Sequence, residues 1–85
     1  MSRLENTGFT FLISDLELGL TFAQIAMGSG SNTDKRKRNQ QNARRAYDTI
    51  LKLAERTVLT GVQRSELNNV AARLKARLES LGEVF

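Results

Sequence analysis

Between Phe9 and Met27 the apolar residues Leu12, Leu16, Leu20, Ala23 and Met27 return every three or four positions, the spacing that lines one side of an α-helix. At about 100° per residue, Thr10, Ser14, Glu17, Thr21 and Gln24 gather into one narrow polar stripe. Almost all the remaining circumference is apolar. Phe11, Leu18, Phe22 and Ile25 make a second greasy row well away from the Leu12 row, and one ordinary bundle contact is too narrow to cover both. The pattern predicts a helix over 9–27 that needs neighbours on two sides.

Two further helices follow. Ala43, Ala46, Tyr47, Ile50, Leu51, Leu53, Ala54 and Val58 share a broad face opposite Arg45, Asp48, Lys52 and Arg56, which predicts an amphipathic helix over 34–58 capped by Thr33 or Asp34. Thr60 and Gln63 have the spacing of a capping box, and Leu67, Val70, Ala71, Leu74, Leu78 and Leu81 recur at three- and four-residue steps until Gly82. That places a third helix over 61–81. Gly28 to Asn32 reads GSGSN, so 28–33 is expected to be a flexible linker, and residues 1–8 a flexible start. The short link from Val58 to Thr60 predicts that the last two helices are antiparallel neighbours. Together these segments describe one all-α domain over 1–85, a three-helix bundle or a helical hairpin with a third helix.

Composition narrows the stability problem and the chemistry. At 85 residues, with 40% hydrophobic and 26% charged, the chain has enough core for one domain and no more. Cysteine is absent, so no disulfide supplements that core and no thiolate holds a metal, which is compatible with a cytoplasmic setting. Asp15 and Glu17 interrupt the apolar patch after Phe9 before any cleavage site, so no signal peptide is expected. Thr10, Ser14, Thr21 and Gln24 break the longer segment, so a buried helix is expected and not a membrane span.

Charge is concentrated in one place. Net charge is +4, and Lys35, Arg36, Lys37, Arg38, Arg44 and Arg45 fall within an eleven-residue stretch that holds no acid. Four of them open the second helix, where the macrodipole favours carboxylates by about 0.3 to 1 kcal/mol each, so helix stability does not account for them. These six are the candidate contacts for an anionic partner such as nucleic acid. The competing reading is a solvated helix end, favoured by the lack of aromatic residues for base stacking. Arg36 lies on the side of Ala43 and Ala54, so the helix start is expected to overhang the bundle.

Catalytic material is scarce. There is no His or Cys and a single Tyr, leaving carboxylates, lysines and hydroxyls for acid, base or nucleophile roles. Asp15 and Glu17 face different directions on a helix, and GSGSN lacks the spacing and the Lys of a phosphate-binding loop. No enzyme, cofactor, metal or small-molecule substrate is expected.

Leu18 and Gly19 followed by Phe22, then Ala43 followed by Tyr47, resemble the Leu-Gly-x-x-Tyr and Ala-x-x-x-Phe elements of a tetratricopeptide-repeat hairpin. The resemblance covers five positions of the first two helices. Asp15 stands where that family has Trp, the connection is about a dozen residues longer, and no second repeat follows. What the resemblance implies is close approach of two antiparallel helices at the small residues, and a surface for docking peptide or protein.

The function expected from the sequence is a noncatalytic helical interaction module. It self-associates, or meets a protein partner, through Phe11, Leu18, Phe22 and Ile25, unless the third helix and the tail Val84 and Phe85 cover that row within one chain. The alternative is a small nucleic-acid-binding protein that uses the basic start of the second helix.

Overall fold

The computed structural model describes the backbone of residues 3–85 and the side chains of residues 8–85. It contains three helices, α1 (Arg3–Met27), α2 (Thr33–Glu55) and α3 (Gly61–Ser80), packed as an all-α three-helix bundle. α1 starts six residues ahead of the predicted Phe9, because polar residues such as Glu5 and Asn6 extend a helix without leaving an apolar signature. The flexible start expected over 1–8 is therefore replaced by helix from Arg3; residues 1 and 2 lie outside the described residues.

The helix ends explain where the apolar pattern misplaced boundaries. After Met27 the chain closes a hydrogen-bonded turn: the Gly28 amide donates to Gln24 O at 3.0 Å and the Ser29 amide to Ala26 O at 3.3 Å. Gly30 takes a φ of +58°, a left-handed conformation that glycine adopts without strain. The cap of α2 is Asn32, one position before the predicted Thr33, and its side-chain oxygen accepts from the Lys35 amide at 3.1 Å. α2 stops at Glu55, three residues short of Val58, because the Arg56 and Thr57 amides turn back to Leu53 O and Ala54 O at 3.0 and 3.2 Å. The capping box of α3 is as predicted, with Thr60 and Gln63 exchanging bonds of 3.0 Å each. Gly82, at φ +98°, closes α3: its amide donates to Glu79 O and that of Glu83 to Leu78 O, both at 3.0 Å, a Schellman motif that turns the tail back over the bundle.

The core is apolar throughout, with Leu12, Leu16, Ile50, Leu67, Leu74 and Leu78 fully buried and no buried charge among the described residues. α1 is the shared partner of the other two helices. It packs most extensively on α2 and next on α3, whereas α2 and α3 touch each other least. The predicted closeness of the last two helices is thus the weakest contact of the bundle. Gly19 supplies the reason: a Cβ there would stand 2.8 Å from Leu74 Cδ2 and 3.2 Å from Ala46 Cβ, so the missing side chain is a notch into which both α2 and α3 settle.

Candidate functional site

α1 buries one side and leaves another bare. Phe11, Leu18 and Ile25, at seven-residue spacing, are 53%, 49% and 37% exposed. Phe22, the fourth member of the expected row, is half-buried and packs against the core. Neither α3 nor the tail covers the other three. On the flanks, Ser14 and Thr21 are exposed and Asp15 is half-buried, and between Gly8 and Met27 no Lys or Arg occurs. By length and composition Gly8–Met27 is also apolar enough to cross a membrane, but here its Leu12, Leu16, Leu20 and Ala23 form the bundle core.

The tail docks on α2 through one side chain. Arg44 Nη1 donates to Glu83 Oε1 and to the Val84 carbonyl, each at 2.9 Å, while its Nε donates to Asp48 Oδ2 at 3.1 Å. Its guanidinium carbon lies 4.1 Å from the centre of the Phe85 ring, which meets the Tyr47 ring edge-on at 5.1 Å. Gln40 Nε2 adds a 2.6 Å bond to the other oxygen of Glu83. Partial desolvation works against the charge on Arg44, yet the hydrogen bonds to Asp48 and Glu83 and their negative charges outweigh it and raise its pKa above the ordinary arginine value.

These contacts divide the six basic candidates. Lys35, Arg36, Lys37, Arg38 and Arg45 are exposed and form no salt bridge with a described carboxylate. Arg44 is set apart, committed to the tail. A shallow cleft of about 540 Å³ is lined by Gly30, by Arg36, Lys37 and Gln40 of α2, and by Leu81 and Glu83. Because Glu83 is already paired with Arg44, the unpaired charge of the cleft is positive. Arg45, Lys52 and Arg56 lie on the outward side of α2 as expected, and Arg38, counted in the sequence only with the consecutive basic run, falls in line with them. The signal for it is the seven-residue spacing of Arg38, Arg45 and Lys52.

Among the described residues no group of three acids, His or Cys is placed to hold a metal. The chain matches no known protein family, no curated protein and no solved structure.

Proposed function

We propose that the chain is a helical interaction module that pairs with a second copy of itself through the outward row of α1. The supporting observation is the exposure of Phe11, Leu18 and Ile25 at regular heptad steps on an otherwise well-packed helix. Leu18 sits midway, so an antiparallel copy related by a twofold axis at Leu18 sets Phe11 of each against Ile25 of the other. In that register Asp15 falls beside Thr21 of the other copy, and the two Asp15 carboxylates are offset by about 9 Å along the axis. A parallel pair stacks Asp15 on Asp15, which disfavours it. Burying the exposed parts of three such side chains on each copy is worth about 6 kcal/mol in all before the cost of association. Phe22 and Thr21 add contact at the edges. Most of that gain is offset by the cost of association, so the dimer is weak and depends on concentration.

Sedimentation equilibrium from about 10 μM to about 1 mM, which reads association free energies of roughly 4 to 7 kcal/mol, tests the reading. The expected result is a reversible monomer–dimer equilibrium that Leu18→Glu abolishes without loss of helix content, because Leu18 contributes half of its surface to solvent and not to the core. A wild-type chain that stays monomeric throughout rejects it.

A further inference from the structure

The outward side of α2 carries a second surface that does not depend on the α1 row. Arg38, Arg45 and Lys52 succeed one another at seven-residue steps, and Arg56, which caps α2, comes one turn later. At about 100° per residue the four lie within roughly 40° of each other, on the side opposite Ala43, Ile50 and Ala54. Those three are buried and the four cations are exposed. The row extends for about 27 Å along a single rigid helix.

Nothing in the described fold consumes this charge. Asp34 and Asp48 stand one turn before Arg38 and Lys52, the spacing of helical ion pairs, yet neither pair closes. Asp48 is held by Arg44, and so is Glu83, the tail carboxylate nearest this helix. Arg44 holds both carboxylates with a single positive charge, so their side chains are committed to it and not to the row, while the cluster keeps a net charge of −1. Glu55, at the end of the helix beside Lys52, forms no salt bridge with it. α2 holds seven cations against three acids, which equals the whole net charge of +4.

We propose that this row binds the phosphate backbone of double-stranded nucleic acid. A rigid row of cations suits the dense, fixed negative charge of a duplex, and a length of about 27 Å runs alongside about eight base pairs. No aromatic side chain interleaves the row, so it offers nothing on which the bases of a single strand stack. The buried apolar residues of α2 face the core, and the exposed apolar residue of the helix beside the row is Leu53, next to Lys52 and Arg56, too little to enter a lipid surface.

The test is fluorescence anisotropy of a labelled duplex of about 20 base pairs titrated with the full chain at several salt concentrations. Four phosphate contacts predict roughly 150-fold weakening between about 50 and 200 mM monovalent salt. The double variant Arg45→Gln with Lys52→Gln should bind more weakly and reduce that loss to roughly 12-fold. Arg64→Gln with Arg73→Gln removes the same charge from α3 and should alter affinity at most about twofold. All four positions are exposed, and circular dichroism confirms that each variant is folded. The proposal is overturned by an absence of saturable duplex binding at the lowest salt or by equal losses in the two double variants. Binding to anionic phosphatidylserine vesicles in place of the duplex overturns it as well.

Discussion

Gly19 and Gly61 put one residue type under opposite constraints. A methyl group at Gly61 meets nothing within 4 Å and the backbone is not left-handed, so Gly61→Ala should stabilise the fold by about 0.4 to 1 kcal/mol through the unfolded chain. At Gly19 the same group runs into fully buried Leu74 and into Ala46, whose Cβ is fixed to the α2 backbone. Overpacking of about 1 to 3 kcal/mol outweighs the gain of about 1 kcal/mol in helix propensity. Gly19→Ala should therefore lower stability while Gly61→Ala raises it, a contrast in sign that urea denaturation of the two variants reads directly. Arg44 makes a different kind of statement, because its contacts concern the tail and not the core. Arg44→Ala should release Glu83 to Phe85, seen as loss of the ring-current shifts of Phe85 and Tyr47 in NMR spectra, with the helices intact. Since the guanidinium pKa is raised, its contribution is complete below the ordinary arginine value and fades only above it. The docked tail should accordingly be unchanged between about pH 7 and about pH 9.

The helices themselves test how local signals become elements. Thr60 satisfies one orphan amide of α3, so Thr60→Ala should cost about 1 kcal/mol and Thr60→Ser much less, measured as a shift of the thermal midpoint. That box was legible in the sequence because both partners lie three residues apart. The three helices were legible for a similar reason: the steps from Leu12 to Leu20 and from Leu67 to Leu78 are periodic over several turns and need no knowledge of the rest of the chain. Asn32 does not stand out as the cap in the sequence, because four cap-forming residues, Ser31 to Asp34, stand in succession and only backbone geometry selects among them. The Arg44 contact was not legible at all. Its partner Glu83 is 39 residues away and reaches it only through the left-handed turn at Gly82. The α1 row could be read as a row, but its exposure depended on where α3 and the tail packed, which no local pattern encodes.

For the molecule as a whole, self-association links stability to concentration. If α1 pairs as proposed, a tenfold rise in chain concentration above the dissociation constant should raise the thermal midpoint by about 4 °C for a chain of this size. Leu18→Glu should remove that dependence, and a scanning-calorimetry series checks both.

The arrangement of the bundle around α1 also bears on how it is assembled. α1 and α2 are joined by a tight turn and meet as soon as both have left the ribosome, whereas residues 61–85 are the last of this sequence to be made. Until they arrive, the notch at Gly19 has no Leu74 to fill it and one flank of the hairpin lies open. A fragment ending at residue 60 should therefore be a loosely ordered, dye-binding, aggregation-prone intermediate, and adding α3 as a separate peptide should restore its order.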